Sequence, residues 1–574
     1  MDNLKSSPKK SEEKENKIPQ NKYFKSYYIG IWNCKERWEK AKEILLKQYK
    51  EENYVELFNI DKIYNQINYY SLRNITKLKK EMSEEAVFDF ILPIIQSIAL
   101  SSEKIKEKKF LILTNNNDQI IELTQFDCAS ILSTFFLNMF GNSTEGRNKE
   151  ELNKGHYKIS NFPHLSFSSY LDSSGIMYQK FLFMIRYFIK IGIRMSAQNY
   201  IINVPHANFI LSKDSILDKI KDYKDNINKI YNFDEELEYD WNCNKNSILK
   251  IYLNEFDPYS YNKEYQNGEL EKNKINYLLN EEFKEILSKN KFLDPNNYET
   301  CNKIIEKVFL SNNEEITLNT LIKINIHLDS ITEQKECIIT NFANKYLGGG
   351  CMNEGNVQEE ILLLICPEIL VARAFVTKMN HIQSISMSGF EKISKYRGYG
   401  FDLKFDGYYI DDNKYENNSF KSLMIAVDAL PIYSLLVDQF DFLISFREFI
   451  KFITGLQGNK KDILNYKFNF CATGKWGCGV FGGNIYIKFL IQFLACLFSN
   501  IGFNFSCFNN KNNQYYLNNF IKKFSKIIEK SQESKKKITK GLIFKAFYMM
   551  DIGIKEEDER ILECFNNSLK KLLN

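Results

Sequence analysis

The sequence predicts an α/β protein, a sheet covered by helices and preceded by an α-helical region. Three observations carry that expectation. From about Leu318 onward, short strand-like runs alternate with helix-like runs, the pattern of a sheet with helices packed on it. Before residue 157 the apolar residues recur at helical spacing instead. Two glycine-rich segments sit where a strand-like run meets a helix-like run, near Gly348 and near Gly479.

Taken in order, residues 1–25 are rich in Ser, Lys and Glu and are expected to be disordered. Residues 26–157 form the helical region. Ala86, Phe88, Phe90, Ile91, Ile94, Ile95 and Ile98 mark one amphipathic stretch, and Ala129, Ile131, Leu132, Phe135, Phe136 and Met139 mark another, closed by Gly141-Asn142-Ser143. Residues 158–530 form the α/β region. It opens on a Pro-containing segment, Phe162-Pro163-His164, and an apolar helix-like run at Phe181–Ile193. Within it, residues 213–306 turn polar and lose apolar periodicity, which reads as a peripheral insertion. Strand-like runs follow at Cys337–Asn341, His381–Met387, Tyr408–Ile410, Leu423–Val427, Asn469–Cys471 and Phe503–Phe508. Helix-like runs lie at Glu359–Ala374, Ile432–Thr454, Ile485–Phe498 and Tyr515–Glu529. In residues 531–574 the tail places Ile561, Leu562, Phe565, Leu569 and Leu572 on one helical face, expected to dock on its own domain.

Composition removes several classes. At 574 residues the chain has room for two to four domains. Lys and Arg total 77 against 72 Asp and Glu, so no charge excess argues for direct DNA binding. Twelve cysteines without a CxxC pair suit a reducing interior, cytoplasmic or nuclear, better than a disulfide framework. The five histidines lack zinc-like spacing. The N-terminus has no apolar signal-peptide core, and the apolar run Phe489–Phe498 is too short to span a bilayer. No membrane association is expected.

Two segments carry chemistry. In Gly348-Gly349-Gly350 the backbone is free to take positive φ and to turn N–H groups toward an anion. Glu359-Glu360 follows at the start of an apolar run. In isolation, the glycine triplet reads equally as a flexible turn and Glu359-Glu360 as an acidic first helical turn complementing the helix dipole. The second segment, Thr473-Gly474-Lys475-Trp476-Gly477-Cys478-Gly479-Val480-Phe481-Gly482-Gly483-Asn484, has five glycines in ten positions between a strand and a helix, a suitable setting for an anion. It is not a Walker A loop, because Trp476 follows Lys475. Two such loops suggest a diphosphate clamped between them. A third segment, Phe390 to Phe401, offers Tyr396 and Tyr399 around Gly398 for stacking on a purine, although a tyrosine half-buried over a sheet edge is the commoner case.

These segments, in this order, resemble the poly(ADP-ribose) glycohydrolase family. Its glycine triplet followed by Gln-Glu-Glu appears as Gly348–Gly350 and Gln358–Glu360. Its Asp-Phe-Ala-Asn appears as Asn341-Phe342-Ala343-Asn344, and its later Thr-Gly-Asn-Trp-Gly-Cys-Gly loop as Thr473 to Asn484. Val427-Asp428-Ala429-Leu430 and Phe162-Pro163-His164 also look like family landmarks, so the resemblance covers roughly residues 85–530 apart from the insertion. It implies a macrodomain-like mixed sheet flanked by helices, and hydrolysis of ribose–ribose O-glycosidic bonds in poly(ADP-ribose) without metal or cofactor. It implies Glu360 as the acid/base, with Glu359 orienting ribose and Asn341 beside them. Asn344 would hold the terminal ribose. Gly348, Gly349, Gly350, Gln358, Gly477, Cys478, Gly479, Val480, Phe481 and Gly482 would line the diphosphate, with Tyr396, Tyr399 and Phe508 toward adenine. The implied partners are the polymer or ADP-ribose and, through the polymer, proteins modified with it. The insertion or the C-terminal helix could dock a protein.

Three positions depart from the family pattern: Asn341 for Asp, Lys475 for Asn and Asn484 for Asp. Asn341 removes a charge from the neighbourhood of the glutamates, and Lys475 adds one able to pair with phosphate. Two function classes follow, an active glycohydrolase and a weakened or inactive relative that binds ADP-ribose or serves a larger assembly.

Overall fold

The computed structural model describes residues 175–201, 211–256 and 305–574 with brief interruptions, and shorter stretches between residues 86 and 170. The expected disordered segment 1–25, the Phe162-Pro163-His164 segment and most of 257–304 lie outside the described residues.

The helical spacing of the first third yields α1 (Leu92–Ser101) and α2 (Gln125–Phe136). Between them lies β1 (Ile120–Thr124). Next come α3 (Gly175–Ala197), α4 (Lys213–Ile227), α5 (Phe233–Trp241) and β2 (Ile248–Glu255). The α/β portion continues with β3 (Ile324–His327), β4 (Cys337–Ala343) and α6 (Gln358–Ile365). Strands β5 (Gln383–Gly389), β6 (Ser394–Arg397), β7 (Lys404–Tyr408), β8 (Tyr415–Glu416) and β9 (Ser419–Asp428) follow. The chain then runs through α7 (Phe442–Gln457), β10 (Phe470–Thr473), α8 (Ile485–Ser499) and β11 (Gly502–Ser506). It closes with α9 (Lys511–Glu533), α10 (Lys540–Tyr548) and α11 (Arg560–Leu573).

The strands order as β1-β2-β5-β9-β4-β10-β11-β3, with β8 on β9; β6 and β7 form a separate hairpin. The β9-β4-β10-β11-β3 half is parallel and the β1-β2-β5-β9 half antiparallel. The sheet is therefore mixed, and it is covered on both faces. In β9, Met424 and Ala426 enter one core with α1, α2, α3 and α6, while Leu423, Ile425 and Val427 enter the other with α7 to α11. That is the period-2 alternation of a strand, with both sides apolar because both sides are buried.

Several expectations are corrected here. Of the span 213–306, the described residues 213–256 are not a peripheral excursion. Their strand β2 sits between β1 and β5, and α5 supplies Glu236 and Asp240 to a fully buried ion-pair ladder. Arg186 meets Glu236 at 2.5 Å, Lys190 meets Asp240 at 3.0 Å, and Arg194 meets both Asp240 at 2.8 Å and Glu391 at 2.6 Å. The polar composition misled because the acids face a basic stripe on α3 rather than water. Nor is region 26–157 wholly helical, since β1 forms the sheet's edge. The helix expected over Glu359–Ala374 breaks at Cys366-Pro367 into α6 and a 3-10 turn (Pro367–Ala374), because proline cannot continue an α-helix. The helix expected over Ile432–Thr454 is a short helical turn at Ile432–Leu435 followed by α7 from Phe442, capped by Asp441. The apolar face of α11 packs inward, Phe565 lying 5.8 Å from Phe520 and 6.2 Å from Phe524. That face is taken by the chain's own α9 and is not open to a partner.

No helix among the described residues is long and apolar enough to cross a membrane.

Candidate active site

Two neighbouring parallel strands, β4 and β10, each run into a glycine loop at their C-terminal ends, the usual place for a ligand in such sheets. The next strand, β11, ends at Ser506 and delivers Phe508 to the same edge.

The loop after β4 wraps around the two glutamates. Glu359 Oε1 accepts from the Gly348 N–H at 2.6 Å and from Asn341 Nδ2 at 3.4 Å; its Oε2 accepts from the Asn344 N–H at 2.8 Å. Glu360 Oε1 accepts from the Gly350 N–H at 2.9 Å, and its Oε2 reaches back to the Val357 N–H at 3.1 Å. This last bond is the acid arm of a helix capping box, with Glu360 third in α6. Gly349 lies between the carboxylates at φ +43°; a Cβ there would sit 2.9 Å from an oxygen of each. Glu359 is 3% exposed and Glu360 6%. Burial, and then the Glu360 charge, lift the Glu359 carboxyl to about 8, against the pull of the Asn344 and Gly348 N–H groups and of Arg373.

The anion held by the first glycine loop is therefore the glutamate pair. The Gly348 and Gly350 N–H groups face carboxylates and the Gly349 N–H donates to the Tyr346 carbonyl at 3.0 Å. None of the three is left for the diphosphate expected there. Gln358 is also otherwise engaged. Its Oε1 accepts from the Phe342 N–H at 2.8 Å and its Nε2 donates to the Thr340 carbonyl at 3.0 Å. It stands in for a neighbouring strand where the pairing of β10 with β4 has stopped at Ile339. Asn344 uses Oδ1 on the Tyr346 N–H at 3.0 Å, while its Nδ2 has no partner among the described residues.

The second loop differs. The N–H groups of Gly477, Gly479, Val480 and Phe481 have no acceptor among the described residues. Val480 is 81% exposed. The loop is fixed from below: Trp476 is buried and its Nε1 donates to the Val427 carbonyl at 2.9 Å, with the Lys488 ammonium 4.4 Å over the indole. Cys478 closes a turn through its N–H to the Lys475 carbonyl at 3.0 Å, and Gly482 at φ +73° leaves room for the Tyr433 ring. Asn484 caps α8, accepting from the Tyr486 and Ile487 N–H groups at 2.9 and 3.2 Å. The aspartate-to-asparagine difference thus keeps the cap.

The aromatic residues are brought together only in part. Tyr399, half-exposed, lies 5.3 Å from Phe508 with the rings inclined at 53°. A base sandwiched between two rings needs about 7 Å, twice the van der Waals spacing, so the two rings form a pair and not the walls of an open slot. Phe508 sits at φ +43°, unusual for a bulky residue, and flanking bonds from the Cys507 and Asn509 N–H groups to the His327 and Leu328 carbonyls hold it there. Beside it, Lys475, Lys511 and Asn509 to Asn512 line a cleft of about 480 Å³. Tyr396 does not join them; its hydroxyl is 3.2 Å from both Ser330 and Thr332 hydroxyls. Burial raises the Tyr399 phenol, against a hydrogen bond with the Gln358 backbone and with the Glu360 charge adding to the rise.

Sequence reasoning missed the residues behind the first loop. Arg373 bonds the Leu347 carbonyl. Tyr170 Oη donates to the Cys351 carbonyl at 2.7 Å, and the buried Lys180 reaches the same carbonyl at 3.1 Å. The available signal was a set of cations, Lys180, Arg186, Lys190 and Arg194, in and just before the apolar run of α3. Among the described residues, no group of three or more His, Cys, Asp or Glu side chains could hold a metal.

The site thus joins a mixed α/β sheet, an enclosed carboxylate pair at its strand ends and a helical region behind the loop. The family comparison agrees. Residues 310–515 match the model described as "Poly (ADP-ribose) glycohydrolase (PARG), Macro domain fold" and residues 78–204 the model described as "Poly (ADP-ribose) glycohydrolase (PARG), helical domain", together more than half of the chain. The chain belongs to the poly(ADP-ribose) glycohydrolase family.

Among its relatives, poly(ADP-ribose) glycohydrolase 1 of Caenorhabditis elegans is 32% identical over 219 residues, 36% of this chain and 26% of that protein. Poly(ADP-ribose) glycohydrolase 2 of the same species is 35% identical over 179 residues, 29% of this chain and 36% of that one. Probable poly(ADP-ribose) glycohydrolase 2 of Arabidopsis thaliana is 28% identical over 216 residues, 31% and 41% respectively. The matched region thus spans about a quarter to two fifths of these relatives. The crystal structure of the Thermomonospora curvata poly(ADP-ribose) glycohydrolase is 13% identical and superposes with a TM-score of 0.23 over 35% of this chain and 73% of that one, too loose a likeness to add to the argument.

Proposed function

We propose that the protein hydrolyses ribose–ribose O-glycosidic bonds of poly(ADP-ribose) and releases ADP-ribose, with Glu360 as acid and then base. The observation that carries this reading is the carboxylate pair enclosed by its own glycine loop. Glu359 is closed in on both oxygens and holds its proton to about pH 8, so the pair does not carry two full charges at neutrality. The proton is delivered through the member of the pair that faces the sugar. Glu360 is that member. It protonates the departing ribose oxygen as the C1–O bond breaks; water then adds to C1 and returns a proton to Glu360. Adjacent glutamates cannot flank the sugar from both sides, so one group serves twice. The free N–H groups of Gly477, Gly479, Val480 and Phe481 receive the diphosphate, Lys475 adds charge beside it, Asn344 Nδ2 meets ribose, and adenine docks on Tyr399 after Phe508 turns aside.

A second reading, binding of ADP-ribose without turnover, rests on Asn341, which gives Glu359 an amide where the resembling family has a carboxylate. Incubation with labelled polymer separates the two: release of free ADP-ribose is expected, and retention of intact polymer with calorimetric binding of ADP-ribose would favour the second. The described cysteines are free thiols, which supports a cytoplasmic or nuclear location, with polymer-modified proteins as the partners.

A further inference from the structure

We propose that Lys180, on α3 within the span 78–204 that matches the family's helical domain, is a positioning residue that sets the catalytic loop from behind. This rests on the carboxylate-pair reading above but concerns a residue outside that pair. The Lys180 ammonium lies 3.4 Å from the Gly350 carbonyl and 3.1 Å from the Cys351 carbonyl, and it also bonds the Asn353 carbonyl. The Gly350 N–H, in the preceding peptide group, donates to Glu360 Oε1. Gly350 is thus held on both sides, by the ammonium on its carbonyl oxygen and by the acid on its N–H, through two successive peptide groups.

The loop is otherwise held by its own turn bonds, Cys351 N–H to the Gly348 carbonyl at 2.8 Å and Asn353 N–H to the Gly350 carbonyl at 2.9 Å, by the two glutamates and by Arg373 on the Leu347 carbonyl. Its glycines give it no side chains to pack, and each glycine is free to leave its present φ. Tyr170 Oη adds a bond to the Cys351 carbonyl at 2.7 Å, and the Lys180 ammonium lies 6.0 Å over that tyrosine's ring. No carboxylate pairs with Lys180 within ion-pair distance among the described residues, so a fully buried cation takes its hydrogen bonds from loop carbonyls. A buried ammonium is costly unless so satisfied, and this couples the cation to one loop conformation. Burial depresses its pKa to about 8, against the opposing charges of Cys351, Glu360 and Glu354 and with Arg373 acting in the same direction as burial. The helical region is then more than a cap on the sheet, since it carries the clamp.

The test uses the full chain with Lys180→Met, Lys180→Arg and Tyr170→Phe. Amide hydrogen exchange in residues 346–355 is measured beside polymer hydrolysis, ADP-ribose affinity and melting temperature. Lys180→Met is expected to speed loop exchange at least 10-fold and to lower kcat roughly 10²-fold, the scale of about 1 Å of misplacement, with KM and ADP-ribose affinity changed less than about 3-fold. Lys180→Arg, which keeps the cation, is expected to restore most of the protection, and Tyr170→Phe to show a smaller loss of the same kind. A merely structural role would lower the melting temperature and speed exchange across the whole protein without a kcat-specific loss. Unchanged loop exchange in a folded Lys180→Met protein overturns the proposal. Should the wild type prove inert on polymer while loop exchange still depends on Lys180, the clamp stands and the hydrolase reading fails. Should Lys180→Met not fold, Lys180→Gln, which removes the cation and keeps a donor, decides by the same exchange measurement: faster loop exchange is expected, and wild-type protection overturns the proposal.

Discussion

Replacing Gly349 by alanine puts one methyl group between the two carboxylates. Its Cβ would stand 2.9 Å from Glu359 Oε2, 2.9 Å from Glu360 Oε1 and 3.5 Å from Asn344 Cβ. Ordinary carbon–oxygen contact begins near 3.4 Å, so each carboxylate would have to retreat by about 0.5 Å or the loop would open. Neither acid can retreat freely, since Glu359 is bonded on both oxygens and Glu360 is tied to Gly350 and Val357. The backbone adds to the cost, because φ is +43° there and an alanine in the left-handed region costs roughly 1–2 kcal/mol. We expect Gly349→Ala to lose about that much stability. Turnover should fall about 10²-fold, the penalty for a sub-ångström to ångström error in a catalytic group. Chemical denaturation measures the first, and release of ADP-ribose from labelled polymer the second. Near-wild-type turnover in a folded Gly349→Ala protein would refute the reasoning, because the carboxylates would then not need the positions they occupy.

Other consequences can be checked alongside. Asn341→Asp should act first on Glu359, which Asn341 touches, and not on Glu360; a shift of the alkaline limb of the pH–rate profile to higher pH is expected, and a profile unchanged on that side would contradict the contact. The Glu359 carboxyl binds its proton more tightly folded than unfolded, so the native state holds more protons between pH 4.5 and about 8 and its contribution to stability falls as pH rises through that window. Glu359→Gln should flatten that part of the decline in melting temperature; a pH dependence identical to wild type would exclude the shift. Asp240→Ala should cost about 3–5 kcal/mol, since it leaves Lys190 and Arg194 short of a buried partner. A loss under 1 kcal/mol in denaturation would mean that α5 is as peripheral as its composition suggests.

Much of the α/β half was legible from the sequence, because its elements obey simple periods. The runs at Cys337, Leu423 and Asn469 are continuous apolar strands, and α8 starts at the asparagine that caps it. The site glutamates were legible as well, from their place beside the glycine triplet. What the triplet does was not. Anion-binding N–H groups are evident from three glycines, but the sequence does not say whether the anion is a ligand or a neighbouring carboxylate. Residues 213–256 misled for a related reason. Burial of Glu236 and Asp240 is decided by α3, some 50 residues upstream, and a local window sees only polar side chains. The break at Pro367 was readable and was overridden by the apolar run on both sides of it. The pairing of Tyr399 with Phe508 depends on a left-handed Phe508, for which no sequence signal exists.

The central claim is that Glu360 moves the proton while the rest of the site binds. Glu360→Gln tests it most directly, because the amide keeps the size and shape of the side chain but can neither deliver nor recover a proton. Single-turnover release of ADP-ribose from labelled polymer, measured with calorimetry of ADP-ribose on the same preparations, should show a loss of 10²-fold or more for the variant with affinity nearly unchanged. Full activity in Glu360→Gln would contradict the account.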